Sequence, residues 1–188
     1  DPPPPPPPKD DLIPCVGTDL VPEQVIVEQF PGDDRKFGQS IDVDSVKFIA
    51  SSAASKVVEV HQFLGNEWKF EDILKPATIP TQYGIDVAIS GSIAVVIGAS
   101  TLNSDGKLII FRHNNVKWVE KQTISHPSNL MWDKVITDGD RIFASAVTES
   151  ANGFNSGAVH VYRDSSGSFV AEEVLKASDA QAGDGFGT

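Results

Sequence analysis

The side chains able to do chemistry are few in this sequence, and they are scattered. The four histidines (His61, His113, His126 and His160) show no spacing typical of zinc ligands. No nucleophile-elbow, zinc-protease or phosphate-loop motif occurs. The lone Cys15 excludes an intrachain disulfide and a thiolate metal cluster. The sequence therefore predicts no catalytic residues, no cofactor and a protein that is not an enzyme.

Composition narrows the class of protein further. The chain has 188 residues, of which 40% are hydrophobic and 22% are charged, so a packed core is expected. Fifteen basic residues against 26 acidic ones give a net charge of −11, which argues against nucleic acid or anionic lipid as a partner. The central apolar run Ile93–Ile97 is far too short to span a bilayer. We therefore expect an acidic, soluble domain with no membrane insertion.

Three segments of the chain resemble one another. They begin at Phe37, Tyr83 and Trp132, and a fourth beginning appears at Phe186. The starts at 37, 83, 132 and 186 are 46, 49 and 54 residues apart. A repeat of about this period indicates stacked supersecondary units.

Each unit contains four short apolar runs. The first run begins with an aromatic residue, the second ends in small residues, and the third alternates with period two. The fourth is opened by Trp68, Trp118 or Phe169. Such runs, bounded by turn pairs such as Ser90-Gly91, are typical of β-strands. The sequence therefore predicts an all-β protein with four antiparallel strands in each unit.

Four-stranded sheets of this size bury little alone but stack well around an axis as the blades of a β-propeller. The rival architecture, a linear β-solenoid, usually has shorter rungs. We predict an incomplete propeller of about three blades, at 37–82, 83–131 and 132–185, with the start of a further blade at 186–188. Residues 25–36 are predicted to hold the last strand of a preceding blade. Residues 1–24 form a proline-rich extended segment, with polyproline II geometry expected over Pro2–Pro8.

The repeated motifs resemble the FG-GAP repeat family, which also forms the propeller of the integrin α-subunit head. Phe37-Gly38, Tyr83-Gly84 and Phe186-Gly187 match the FG motif, and Gly98-Ala99-Ser100 approximates the GAP motif. The resemblance covers about residues 25–188 and looks most like bacterial members. Two positions depart from the pattern: Trp132-Asp133 replaces FG, and Lys56 stands where other units have glycine.

The resemblance also raises the question of a calcium loop between the first two strands of a unit. Calcium takes six to eight oxygen ligands, and the corresponding turns here are short and poor in oxygen. Only Asp138 and Asp140 could lend two oxygens to a shared site. We predict no metal site and keep these two aspartates as weak candidates.

Three blades would leave two apolar faces open, which indicates a missing partner. We expect the remaining blades of the same protein, or another protein chain, to cover them; a self-contained wedge of three blades is the other possibility. The predicted function is a non-catalytic module for binding a surface glycan or a protein, or for structural assembly. The alternative is a fragment of a glycan hydrolase whose active site lies in missing blades.

Binding by propellers uses loops at one end of the axis. The longest loop runs from Glu149 to Ser156, and its predicted contact residues are Asn152, Gly153, Phe154 and Asn155. We expect a secreted or cell-surface location. The absence of an Asn-x-Ser/Thr sequon favours a bacterial exterior.

Overall fold

A computed structural model describes residues 24–27, 36–102 and 104–188 of the chain. Throughout these residues the regular structure consists of β-strands, and no helix is present. The proline run and residues 28–35 of the predicted preceding strand lie outside the described residues. Residues 24–27 have no regular secondary structure and belong to none of the sheets.

Twelve strands form three sheets, each built from four consecutive antiparallel strands. The first sheet contains β1 (Ile41–Asp44), β2 (Lys47–Ser52), β3 (Val57–Leu64) and β4 (Glu67–Ile73). The second contains β5 (Gln82–Ser90), β6 (Ile93–Ala99), β7 (Gly106–His113) and β8 (Trp118–Ser125). The third contains β9 (Lys134–Thr137), β10 (Arg141–Ala146), β11 (Ala158–Ser165) and β12 (Ser168–Leu175). The predicted all-β class with four-stranded antiparallel sheets is confirmed.

The sheets share one internal irregularity. A register shift interrupts the pairing of the third and fourth strands at Val60/His61, Ile110/Phe111 and Val161/Tyr162. Bulges increase the local twist of a strand pair. The same bulge therefore gives all three sheets a similar shape, which lets them stack.

The second sheet lies between the other two, and every residue of β6 is buried. One face contributes Ala94, Val96 and Ile109 to a core shared with Ile49 and Val58 of the first sheet. The opposite face contributes Val95 and Ile97 to a core shared with the third sheet through Ile142 and Ala144. We call these two interfaces the first junction and the second junction. A central strand covered on both sides explains why β6 is a continuous apolar run.

The aromatic residue that begins each unit fills a junction. Tyr83 in the first junction and Trp132 in the second are both 1% exposed. Trp132 therefore occupies the tyrosine's place although it departs from the FG motif. Tryptophan in place of phenylalanine or tyrosine preserves the large apolar surface that is buried at this position.

Glycine follows the aromatic residue where the backbone approaches a neighbouring sheet. Gly84 has φ +78°, and a Cβ there would lie 3.1 Å from Ser51 Cβ and 3.2 Å from Val58 Cγ2. Gly187 has φ +97°, and a Cβ there would lie 2.7 Å from Ser145 Cβ and 2.9 Å from Val159 Cγ2. Phe186-Gly187 thus lies against the third sheet as Tyr83-Gly84 lies against the first.

Side chains of one unit bind the backbone of the next through a contact that we call the inter-sheet clamp. The Trp118 N–H donates to Asp72 Oδ2 (3.1 Å), and the Phe169 N–H donates to Gln122 Oε1 (2.8 Å). The Trp68 N–H likewise donates to Gln24 Oε1 (2.7 Å). Gln24 therefore makes, toward the first sheet, the contact that Asp72 and Gln122 make toward the second and third.

In the part of the chain that the structure describes, no helix is long and apolar enough to cross a membrane.

Candidate functional site

The predicted binding loop is held by backbone contacts to the C-terminal segment. The Gly183 and Gly185 N–H groups donate to the carbonyl oxygens of Phe154 (2.9 Å) and Asn155 (3.2 Å). Asn152 Nδ2 donates to the Ala177 carbonyl (3.4 Å). These contacts fix the loop and the C-terminal segment relative to each other. The role of the loop in ligand binding stays a prediction.

Within that loop, Phe154 is an exposed large hydrophobic residue, and 74% of its surface is accessible. The neighbouring Gly153 instead turns its carbonyl inward, where it accepts the Ser156 N–H (3.2 Å). Phe154 and Asn152 are both exposed, so both side chains are accessible to a partner of this loop.

The two weak calcium candidates serve a turn. Asp138 Oδ1 accepts the N–H groups of Asp140 (2.9 Å) and Arg141 (2.7 Å), which closes the loop between β9 and β10. Among the described residues, no third carboxylate, imidazole or thiol joins these two aspartates to make a metal-ligating group. Two oxygens are far short of what calcium requires.

Three side chains that the sequence analysis did not connect converge at the second junction. His160 Nε2 lies 2.7 Å from Glu149 Oε2, and His126 Nε2 lies 3.4 Å from the same oxygen. The ligand atoms of all three residues lie within 4.8 Å of one another. The spacing of His126 and His160 along the chain does not indicate this grouping, and the prediction of no metal site stays a prediction.

Each member of this cluster comes from a different structural element. His126 directly follows β8 and is anchored by its N–H, which donates to the Gly106 carbonyl (2.9 Å). Glu149 lies at the start of the loop after β10, and His160 lies on β11. Convergence depends on how the second sheet packs on the third, so no local spacing in the sequence could reveal it.

His126 is the most enclosed member. Its side chain is 0% exposed, and its Nε2 has no hydrogen-bond partner. Its Nδ1 accepts the Ser128 N–H (3.0 Å). Burial lowers the pKa of His126, and the carboxylate of Glu149 offsets this effect only in part. Burial therefore favours the neutral form of this imidazole, whose Nε2 lies 3.4 Å from the carboxylate of Glu149.

Aromatic rings enclose the two imidazoles. The ring centroid of Trp132 lies 4.3 Å from that of His126 and 5.1 Å from that of His160. Burial raises the pKa of the adjacent Tyr162 to about 12, with a smaller contribution from the charge of Glu149. Glu149 is the most accessible member at 18% exposure, so solvent reaches the cluster from its side.

A recess of about 490 Å³ lies where β1, β5 and β9, the first strands of the three sheets, approach one another; we call these the innermost strands. Its carboxylates are already engaged: Asp86 accepts the Val135 N–H (2.9 Å), and Asp42 accepts the Ile89 N–H (2.8 Å). These contacts join neighbouring inner strands. The recess therefore offers shape and apolar surface more than acid–base chemistry.

The face of the first sheet that points away from the first junction contains an apolar groove of about 500 Å³. The groove is lined in part by Phe37, Ile41, Phe48 and Trp68. His61 stacks on Phe48 with 4.6 Å between ring centroids and pairs with buried Glu59 (2.9 Å). The imidazole thus takes part in packing on this face.

No protein-family model matches the sequence, and no curated protein does either. Among solved structures, the fold is similar to that of a candidate 6-phosphogluconolactonase from Bacteroides fragilis, with a TM-score of 0.50 and 12% sequence identity. The similarity covers 74% of this chain and 38% of that one, so this chain spans well under half the length of that protein. At this identity the likeness establishes the propeller-like fold alone.

Proposed function

We propose that the chain is a section of a larger β-propeller of the FG-GAP type, which acts outside the cell as a non-catalytic module for binding or assembly. Further four-stranded units, from the same protein or another chain, cover its first and third sheets. One observation supports this proposal most directly. The contacts that join neighbouring sheets at the two junctions are also present, in part, on the first sheet and on the third sheet where no further described sheet packs.

The inter-sheet clamp supports a unit before the first sheet. The side-chain amide of Gln24 makes two hydrogen bonds with the backbone of Trp68, because its Nε2 also donates to the Trp68 carbonyl (2.9 Å). Gln122 binds Phe169 in the same bidentate manner (2.8 Å). Since Gln122 belongs to the outer strand of a sheet, Gln24 fits the corresponding strand of a preceding unit.

The surface of the third sheet supports a unit after it. Phe143, Ser145, Val159 and Val161 correspond to Ile49, Ser51, Val58 and Val60, which face the first junction. Glu173 faces Val161 across the strand pair as Gln122 faces Ile110. This sheet therefore repeats both the apolar surface and the acceptor position that another unit would need.

Thiol labelling of the whole naturally occurring protein tests the proposal. With Cys15 replaced by serine, Val159→Cys should react at least a hundredfold more slowly than Val116→Cys. Val159 corresponds to Val58, which is 0% exposed in its junction, whereas Val116 is 84% exposed in the turn between β7 and β8. Reaction of both thiols within tenfold of each other would contradict a covering unit.

The binding role requires a separate test, for which a panel of surface glycans serves as the probe. We expect Phe154→Ala to weaken any binding detected by at least tenfold. Val116→Ala is the matched control, since it removes an equally exposed apolar side chain from another turn. Equal loss in both variants, or in neither, would remove the loop from the proposed function.

An enzymatic function is the alternative, and one observation favours it: the propeller-like neighbour carries the name of a lactonase. In this case the active site would be completed by residues of further units around the innermost strands. Turnover of 6-phosphogluconolactone or of a glycan by the whole protein, abolished by a substitution near that recess such as Lys134→Ala, would replace the non-catalytic proposal.

A further inference from the structure

We propose that His126, Glu149 and His160 form a binding site for a divalent transition-metal ion of the Zn²⁺ class. The ligands are His126 Nε2, His160 Nε2 and the carboxylate of Glu149. The inference does not depend on the proposed function, because all three residues lie between two described sheets.

The geometry is compatible with an ion at the centre of the cluster. Zinc binds imidazole nitrogen at about 2.0–2.1 Å and carboxylate oxygen at about 2.0–2.2 Å, so adjacent ligands stand a little over 3 Å apart. Here Glu149 Oε2 lies 3.4 Å from His126 Nε2 and 2.7 Å from His160 Nε2. A small movement of Glu149, the least buried member, opens the shorter distance.

A buried ring nitrogen that forms no hydrogen bond, although it lies 3.4 Å from Glu149 Oε2, is the second observation. His126 Nε2 is enclosed and forms no hydrogen bond. Leaving such an atom unsatisfied destabilises a fold, so buried polar atoms normally have a partner. An ion at the cluster would satisfy this nitrogen, because Nε2 is directed toward Glu149 and His160.

The donor set selects among metals. Two imidazoles and one carboxylate suit zinc, copper, nickel or iron, whereas calcium and magnesium prefer oxygen ligands. Three protein ligands leave a fourth position of a tetrahedral ion. The exposed side of Glu149 gives that position access to water.

Ion binding must change one existing hydrogen bond. The Ser128 N–H now donates to His126 Nδ1, so the proton of the neutral ring resides on Nε2. When Nε2 coordinates a metal, its proton is lost to solvent and the neutral ring carries a proton on Nδ1 instead, so the Ser128 N–H loses its acceptor. The Ser128 amide is therefore a local reporter of metal binding.

A bound ion would link three parts of the molecule. His126 follows the second sheet, His160 belongs to the third, and Glu149 begins the loop of residues 149–156. A bound ion would therefore stabilise the second junction and fix the start of that loop, while its fourth position stays open to water.

Calorimetric titration of the metal-free chain with Zn²⁺ tests the proposal. We expect one equivalent to bind with a micromolar or lower Kd, and the melting temperature to rise by about 5–10 °C at a hundredfold excess over Kd. Replacement by Co²⁺ should give the intense visible absorption of a tetrahedral site. The amide resonance of Ser128 should shift on addition of Zn²⁺.

Three variants assign the ligands. His160→Ala and His126→Ala should weaken binding at least a hundredfold. Glu149→Gln keeps the shape of the side chain and should also weaken binding, so it tests the site if a histidine variant fails to fold. His113→Ala is the matched control and should bind normally: His113 also lies near a carboxylate, 3.5 Å from Glu71 Oε1, but has no second imidazole beside it.

Either of two results would overturn the site: a folded wild-type chain that binds no Zn²⁺, or binding that persists unchanged in the folded Glu149→Gln and His160→Ala variants.

Discussion

The two junctions share a layout but satisfy their polar atoms differently. In the first, the Tyr83 hydroxyl donates to the Leu74 carbonyl (2.6 Å), and burial raises the pKa of this tyrosine. In the second, Trp132 Nε1 and His126 Nε2 are both buried without a hydrogen-bond partner. The packing therefore accepts tryptophan in place of tyrosine. Among the described residues, the second junction, unlike the first, contains buried nitrogen atoms that form no hydrogen bond.

The residue after the aromatic shows the same contrast. Gly84 brings the backbone against Ser51 and Val58, whereas Asp133 stands at the corresponding position of the second junction. Asp133 Oδ2 accepts the Val147 N–H (2.8 Å). Asp133 thus bonds to the segment that follows β10 within its own unit, whereas Gly84 lies against the preceding sheet. The comparison separates what the stack requires, a large buried ring, from what each junction can vary.

Removing the rings tests that requirement and has the largest expected effect. Trp132→Ala and Tyr83→Ala should each lower the free energy of unfolding by about 3–5 kcal/mol, because both side chains are almost fully buried. Urea denaturation measures the change. A loss below about 1 kcal/mol in one junction alone would show that its ring does not carry the packing.

Gly84→Ala tests the close approach in the first junction. We expect a loss of about 2–3 kcal/mol, since the new Cβ meets buried side chains and φ is positive. Gly91→Ala is the control, because Gly91 also has positive φ (+57°) but no atom near its Cβ position; it should lose only about 1 kcal/mol. Equal losses would assign the whole effect to backbone conformation.

Tyr83→Phe tests the polar difference. Removal of the hydroxyl leaves the buried Leu74 carbonyl without this donor and should lower the free energy of unfolding by about 1–2 kcal/mol. Tyr162→Phe in the second junction should change it by less than about 0.5 kcal/mol, because the Tyr162 hydroxyl makes no hydrogen bond to a described residue. Chemical denaturation of the two variants side by side decides the point.

Asp133→Asn should have the smallest effect, and that effect should depend on pH. Burial raises the pKa of Asp133 above its usual value, with the Val147 N–H and Lys134 acting in the opposite direction. A raised folded-state pKa gives stability that is present at low pH and lost as the carboxyl ionises. The variant should therefore match the wild type near pH 3 and gain slightly, within about 0.5 kcal/mol, at pH 7. A variant that is markedly less stable at pH 7 would show that the charge itself is needed.

Short apolar runs bounded by turn residues were sufficient to predict the strands. The alternating runs at Val58–Val60 and Val159–Tyr162 lie within β3 and β11, because alternation follows directly from strand geometry. The run Leu108–Phe111 in β7 is apolar at every position, because both faces of this strand are buried. The repeat also predicts stacking, since one small sheet cannot bury its own apolar faces.

Contacts between units could not be predicted in this way. His126 and Glu149 come together through the packing of two sheets, and Gln122 lies 47 residues from Phe169, which it binds. Each partner is an ordinary polar residue on its own strand. The sequence Trp132-Asp133 likewise does not reveal that its ring takes the same place as Tyr83, because the two units share a large buried ring and not a residue type.

The inter-sheet clamp also gives the stack a polarity. Each clamp runs from a side chain of one unit to the backbone of the following unit, so the two ends of the stack are chemically different. Two copies therefore cannot meet through equivalent patches about a twofold axis by using these contacts. Any association through them must be head-to-tail, and such association either closes into a ring or continues as an open filament.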